Sequence, residues 1–201
     1  MLLVIVLAMS AVLLRAQESP AVHSRRGIEP GSIENGTYLN PAFGFQYKVP
    51  FGWVDRTEQM RDPAADSSKS ILLLATFERP PEAKDDSVNS AVVITAESTS
   101  AYPGLKTAAD YFVPLSDIAT SKGFSVTNEP YYFSVGSRRV VRGDFSKKVD
   151  AVTMYQSSIV VLEKGYFVSF TFLGGGEDEV NESIENLSFL WAGAKRMTKA
   201  K

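Results

Sequence analysis

Apolar residues recur at every second position over much of the chain, which is the period of a β-strand rather than of a helix. Residues 91–97 alternate in this way, so Val92, Ile94 and Ala96 are expected on one face. In residues 166–173 both faces of the alternating pattern have bulky side chains, which predicts a central strand covered on both sides. The same pattern predicts strands over 38–39, 45–49, 71–77, 124–128 continuing into 131–135, 138–145 and 153–162.

The connections between the last strands are short and polar, and short links of this kind indicate antiparallel hairpins. Two segments instead have helical spacing. Residues 105–121 form one apolar face, with Pro114 predicting a kink or two short helices and Gly123 an end. A second helix is predicted after the glycines at 174–176, with Val180, Ile184 and Leu187 facing inward. The pattern therefore predicts an α+β fold, an antiparallel sheet with helices packed on it.

The composition excludes several classes of functional site and indicates none. The 201 residues suit one domain with flanking segments, and 44% of them are hydrophobic, which is enough for a real core. The net charge of -2 gives no electrostatic case for nucleic acid or for an anionic membrane surface. The absence of cysteine excludes disulfides, thiolate zinc sites and cysteine nucleophiles.

The N-terminal segment predicts export. Residues 1–14 are almost entirely apolar, and this run has the length of a signal-peptide core but is short for a membrane span. We expect a signal peptide over 1–16, cut after the small residue Ala16, and a secreted or periplasmic protein with no membrane span after cleavage. An uncleaved leader that anchors the chain in a membrane is the alternative. A flexible linker is expected over 17–35, a folded domain over 36–193 and a basic tail over 194–201.

The opening and the end of this domain resemble PsbP-like domains. The opening has an aromatic strand at Tyr38, a Gly-Phe pair at Gly44–Phe45 and a Pro-x-Gly-Trp turn that ends at Trp53. The end has a long strand, KGYFVSFTF, then a helix and the hydrophobic close ENLSFLW. The resemblance covers about residues 36–192 and implies a PsbP-like α/β/α sandwich. It also implies a binding or accessory scaffold, and it supplies no catalytic residue.

Candidate chemistry is sparse, and no catalytic, cofactor-binding or metal-ligating residue is assigned. His23, the single histidine, falls in the expected linker. The acids at 177–179 could ligate calcium, but their spacing is not that of an EF-hand loop, and we interpret the LGGGEDE segment as a strand-to-helix turn. Arg138 and Arg139 are expected on opposite faces of a strand, so they do not form one basic patch. Trp53 is expected to pack rather than to bind.

Loop carboxylates give a weak case for a hydrolase, because a glycosidase-like mechanism needs two facing carboxylates and loop acids are usually solvated. The serine pairs have no general base beside them in the sequence. The positions considered are Asp62, Asp66, Asp85, Asp86, Ser67, Ser68, Ser157 and Ser158.

The sequence therefore predicts a non-enzymatic exported domain that engages a protein or cell-envelope component and needs no cofactor. Its binding surface is expected to combine the polar loops 55–69 and 79–90, since recognition is often carried by loops on a rigid sheet. Two alternatives remain open. One is a small-ligand carrier with an apolar groove between sheet and helices, and the other is a hydrolase that uses loop carboxylates.

Overall fold

The computed structural model describes residues 28–82 and 87–190. The strands in this part of the chain are β1 (Ser32–Glu34), β2 (Thr37–Asn40), β3 (Phe45–Lys48), β4 (Val54–Asp55), β5 (Ser70–Phe77), β6 (Ala91–Ser98), β7 (Ser125–Val135), β8 (Arg138–Val149), β9 (Val152–Glu163), β10 (Tyr166–Gly174) and β11 (Leu187–Phe189). The helices are α1 (Thr57–Met60), α2 (Phe112–Ser121) and α3 (Glu177–Glu185).

Two antiparallel sheets organise these strands. The larger sheet has the order β4-β5-β6-β10-β9-β8-β7, and the smaller one has the order β1-β2-β3-β11. β10 lies in the middle of the larger sheet, so the expected central strand is confirmed. Its alternating side chains explain the position, because Phe170 and Phe172 are buried on one face and Phe167 on the other.

The larger sheet is covered on both faces. The smaller sheet and α3 cover one face, where the Phe45 and Phe170 rings pack edge to face with their centroids 4.9 Å apart. α2 and the turn before it cover the other face, where the Tyr111 ring stacks on Phe167 at 4.7 Å. The predicted α+β fold is therefore confirmed. In this sandwich one outer layer is α2, and the other combines α3 with the smaller sheet.

The helix predicted over 105–121 is shorter than expected. α2 begins only at Phe112, so Pro114 lies in its first turn. Backbone N–H groups in a first turn have no hydrogen-bond partner within the helix, so the N–H that proline lacks costs the helix nothing. The preceding turn is held by Asp110, whose Oδ2 accepts the backbone N–H groups of Lys106 and Thr107 at 2.8 Å. Leu105 still packs on the cluster beneath, so the apolar face was predicted correctly although the backbone there is not helical.

Residues 32–34 lie in the segment expected to be a linker, and this expectation is wrong for them because they form β1. Asn35 and Gly36 join β1 to β2 with φ angles of 49° and 73°. Asn-Gly is the dipeptide that favours a two-residue hairpin turn, because both positions need positive φ. The exposed side chains of β1 show no apolar alternation, which is why the period did not reveal the strand.

Candidate functional site

Within the described residues, an ion pair joins the two loops expected to bind a partner. The Arg56 guanidinium, at the start of loop 55–69, lies 3.2 Å from the Glu82 carboxylate of loop 79–90. α1 then runs back along β5, and Arg61 Nε donates to the Leu72 carbonyl at 2.9 Å. Residues 66–69 consequently lie at the opposite end of β5, where Tyr166 donates to the Ser68 carbonyl. Among the residues that the structure describes, it is the first part of loop 55–69 that adjoins loop 79–90.

The described part of loop 79–90 is held firmly at its base. The Arg79 backbone N–H donates to Asn89 Oδ1, and Asn89 Nδ2 donates back to the Arg79 carbonyl, both at 3.0 Å. Arg79 also donates to the Val88 carbonyl at 3.2 Å. These hydrogen bonds join the two ends of the loop, and we refer to Arg79 and residues 87–90 as its stem.

The stem in turn rests on the start of α3. Ser90 Oγ donates to Glu179, and the second carboxylate oxygen of Glu179 accepts the Gly175 N–H at 2.8 Å. The LGGGEDE segment is the predicted strand-to-helix turn, since β10 ends at Gly174 and α3 begins at Glu177. One of its three acids thus has a structural role, because Glu179 bonds the turn to loop 79–90.

A cluster of polar side chains under α3 ties that helix to the larger sheet. Arg142 is 9% exposed, and its Nε donates to Asp144 Oδ1 at 2.7 Å. Its Nη2 donates at 2.9 Å both to Ser157 Oγ and to Asn181 Oδ1 of α3. The second Asp144 oxygen accepts from Tyr131 at 3.0 Å. A cavity of about 200 Å³ lies beside this cluster.

The electrostatics of the cluster argue against acid–base chemistry there. Burial disfavours the charged form of Asp144, but hydrogen bonds from Ser157 and Arg142 outweigh it and hold the Asp144 pKa below its ordinary value. Burial raises the pKa of Tyr131, a trend that the Arg142 charge opposes. A general base near neutral pH needs a raised carboxyl pKa, so Asp144 is suited to holding Arg142 rather than to taking a proton from Ser157.

This cluster is the feature that the sequence analysis missed. No base stands beside Ser157 in the sequence, but Asp144 faces it across the β8–β9 pair. Arg142, Asp144 and Ser157 share one face of the sheet because residues two apart point the same way. The register that brings them together depends on the β8–β9 hairpin, so only a predicted register could have revealed the pair.

The acids of loop 55–69 form local turns, whereas Ser157 and Ser158 are buried in β9. Asp62 accepts the Ala64 N–H at 2.8 Å, and Asp66 accepts the Ser68 N–H at 3.0 Å. Both contacts are local side-chain turns typical of aspartate. His23, Asp85 and Asp86 lie outside the described residues. Among residues 28–82 and 87–190, no group of three or more His, Asp or Glu is placed to hold a metal ion.

The remaining sequence predictions concern packing and faces. Trp53 is half-buried against the main core cluster, as expected of a packing residue. Arg138 and Arg139 do point to opposite faces, since Arg138 lies over the Phe189 ring and Arg139 over the Tyr132 ring. Within the described part of the chain, no helix has the length and apolar character to cross a membrane.

Two larger cavities bear on the carrier alternative. One of about 520 Å³ lies between the stem of loop 79–90 and the turn at 149–152. The other, of about 550 Å³, is lined by residues 28–31, 41–43, Lys164 and Tyr166. Neither is lined by helical residues, so neither is the apolar groove between sheet and helices that a carrier was expected to have.

Comparison with known proteins gives a likeness of fold. Protein-family models gave no match, and neither did curated proteins. Among solved structures, a PsbP (CyanoP) from Synechocystis sp. PCC 6803 is 15% identical, with a TM-score of 0.49, over 79% of this chain and 98% of that one. The Saccharomyces cerevisiae Ran-binding protein Mog1p is 10% identical, with a TM-score of 0.48, over 79% and 97%.

A third structure is LpqN of Mycobacterium tuberculosis, described as involved in cell envelope biogenesis. It is 10% identical, with a TM-score of 0.41, over 73% of this chain and 83% of that one. A PsbP is therefore among the solved structures to which this chain is similar. At these identities and TM-scores the likeness carries no argument about function.

Proposed function

We propose that this chain is a non-enzymatic, exported binding domain that engages a protein or a cell-envelope component and turns over nothing. The contact surface is the edge where loop 79–90 adjoins the start of loop 55–69. The observation that carries the proposal is the bracing of loop 79–90, whose stem is closed by Arg79 and Asn89 and seated on α3 through Glu179. A loop on a fixed stem loses less conformational entropy on binding than a free one.

The bracing extends from the sheet to the loop. Arg142 ties Asn181 of α3 to β8, and Glu179 of the same helix holds Ser90 at the end of the loop. The Arg56–Glu82 pair adds an exposed contact on the other side, which is worth little on its own. The non-enzymatic part of the proposal is supported by the lowered Asp144 pKa, since a carboxylate whose pKa is lowered is a poor base for Ser157.

The test replaces residues 82–86 with a Gly-Ser segment and leaves intact the Arg79–Asn89 hydrogen bonds and the Ser90–Glu179 contact. Residues 62–66, replaced in the same way, are the matched control. Both segments have five residues and the same net charge. Residues 82–86 contain three acids and one lysine, and residues 62–66 contain two acids. The control segment lies at the opposite end of β5 and should be neutral for binding.

Affinity capture from envelope extract, quantified by mass spectrometry, compares wild type with both variants. We expect a set of partners that wild type and the 62–66 variant retain and the 82–86 variant loses. Equal recovery by all three proteins would remove loop 79–90 from the proposal. A hydrolase screen tests the other part, and turnover that Asp85→Asn or Asp86→Asn abolishes would overturn the non-enzymatic assignment.

A further inference from the structure

A basic groove lies on the α2 face of the larger sheet, away from loop 79–90. It has a volume of about 330 Å³ and runs between the turn at 106–109 and the β7–β8 hairpin. The charged residues that line it are Lys106, Arg138 and Arg139, and no acid is among its lining residues. β7 ends the strand order of the sheet, so the groove opens at a sheet edge.

Arg139 is held in place without using its hydrogen-bond donors. Its guanidinium carbon lies 3.6 Å from the centroid of the Tyr132 ring, so the two groups are stacked. No hydrogen bond or ion pair engages the Arg139 side chain within the described residues. Stacking orients the planar guanidinium and leaves its edge free, and that edge matches the two oxygens of a carboxylate.

The other basic residues of the groove differ in how much charge they leave available. Arg138 borders the groove, but its guanidinium lies on the opposite face of the sheet over the Phe189 ring, where its Nη2 is paired with the Glu163 carboxylate at 2.8 Å. Lys106 is exposed, and among residues 28–82 and 87–190 its ammonium has no ion-pair partner. The groove therefore presents two unpaired positive charges, Lys106 and Arg139, on a chain whose net charge is -2.

The groove is also partly apolar. Val141 and Val160 are buried beneath it, whereas Tyr132 and Leu162 are 64% and 39% exposed at its side. A free inorganic anion gains nothing from exposed apolar side chains, whereas a peptide with acidic and apolar residues satisfies both parts of the groove. Two unpaired cations are also too few for the phosphate contacts that nucleic-acid binding requires.

We propose that this groove docks a peptide segment of a partner protein in which a glutamate or aspartate side chain, flanked by apolar residues, binds the stacked Arg139. The carboxylate takes the free edge of the guanidinium, Lys106 adds a second attraction, and the apolar neighbours cover Tyr132 and Leu162. This surface is separate from loop 79–90. The two proposals therefore fail independently, since the variants that test one leave the other surface unchanged.

The test titrates the purified full chain with the peptide acetyl-Leu-Glu-Leu-Glu-Leu-amide and follows binding by calorimetry and by backbone amide NMR shifts. The same peptide with Gln for Glu is the control ligand. We expect the Glu peptide to bind with amide shifts confined to residues 106–109 and the β7–β8 hairpin. We expect the Gln peptide to bind at least about tenfold more weakly, because one charge-assisted contact is lost.

Three variants locate the site. Arg139→Gln should weaken the Glu peptide about tenfold or more, and Tyr132→Leu should weaken it roughly two- to fivefold by releasing the guanidinium. Lys148→Gln removes the same charge from an exposed position at the far end of β8 and should have no effect. All three positions are exposed, so thermal unfolding midpoints should stay at the wild-type value.

Several outcomes overturn the proposal. Equal weakening by Arg139→Gln and Lys148→Gln would mean diffuse charge attraction rather than a site. Displacement of the peptide by an equal concentration of inorganic phosphate would mean a simple anion site. No measurable binding at about 1 mM peptide, the affinity of a weak transient contact, would leave no docking function at this groove.

Discussion

Replacing Gly143 with alanine is expected to disturb the packing of α2 on the larger sheet. A Cβ at this position of β8 would lie 2.7 Å from Phe112 Cε1 and 3.1 Å from Phe112 Cδ1. Non-bonded carbon atoms prefer about 3.5–4.0 Å, so the new methyl overlaps the ring by close to an ångström. Phe112 is 2% exposed and starts α2, so the ring cannot turn into solvent and the helix must shift.

The magnitude follows from two opposing effects. Inserting a methyl group into a filled core costs about 1–3 kcal/mol. Replacing glycine in a strand interior recovers about 0.5–1 kcal/mol, because alanine loses less backbone freedom on folding. The expected net loss is about 1–2 kcal/mol of unfolding free energy, which lowers the melting temperature of a domain of this size by about 2–8 °C.

Urea unfolding of Gly143→Ala, Phe112→Leu and the double variant measures the clash directly. A leucine side chain in place of the Phe112 ring should leave room for part of the new methyl group. The loss of unfolding free energy in the double variant should therefore be smaller than the sum of the two single losses by at least about 0.5 kcal/mol. Gly175→Ala is the control, since its Cβ would meet only ordinary contacts of 3.5 Å and more. An unchanged midpoint for Gly143→Ala, or strict additivity, would refute the packing of Phe112 over Gly143.

Four further predictions concern other parts of the chain. Trp53→Ala should lower the unfolding free energy by about 3 kcal/mol, and loss of partner binding without any change in stability would contradict its packing role. Asp144→Asn should be less stable than wild type at neutral pH, because the native pKa is depressed. The difference should shrink as pH falls below about 4, where the unfolded aspartate protonates first, and a pH-independent difference would contradict this linkage. A chelator should leave the melting temperature unchanged, whereas stabilisation of about 2.7 kcal/mol by calcium at 100 times its dissociation constant would restore a site at 177–179. Mass spectrometry of the exported protein should find Gln17 at the N-terminus, and an intact leader in the membrane fraction would support anchoring.

The sequence predicted the sheet well because the larger sheet has bulky residues on both faces and short hairpins. It failed over 105–111, where the apolar spacing is helical but Asp110 captures two backbone N–H groups in a tighter turn. It also missed β11, because three residues are too few to show a period, and pairing with β3 is what makes them a strand. These elements depend on contacts with distant parts of the chain, which a local pattern does not contain.

The candidate surfaces show a different limit of prediction from sequence. Loops 55–69 and 79–90 were both recognised as polar, but whether they meet depends on α1 turning back along β5, which no composition reveals. The sequence pattern shows only that Arg139 lies on the opposite face of the strand from Arg138. Its significance comes from Tyr132, which belongs to the neighbouring strand and faces it only in the observed register.

The Arg142–Asp144 pair is better explained by positioning than by stability. A buried ion pair costs about as much desolvation as it returns in attraction, so apolar residues of equal volume would stabilise the sheet at least as well. What they could not do is aim hydrogen bonds at three elements at once. Arg142 reaches Asn181 of α3 and Ser157 of β9, while Asp144 holds Tyr131 of β7. Because α3 also supports the stem of loop 79–90, the cost of burying this pair is consistent with a need to fix where that loop stands.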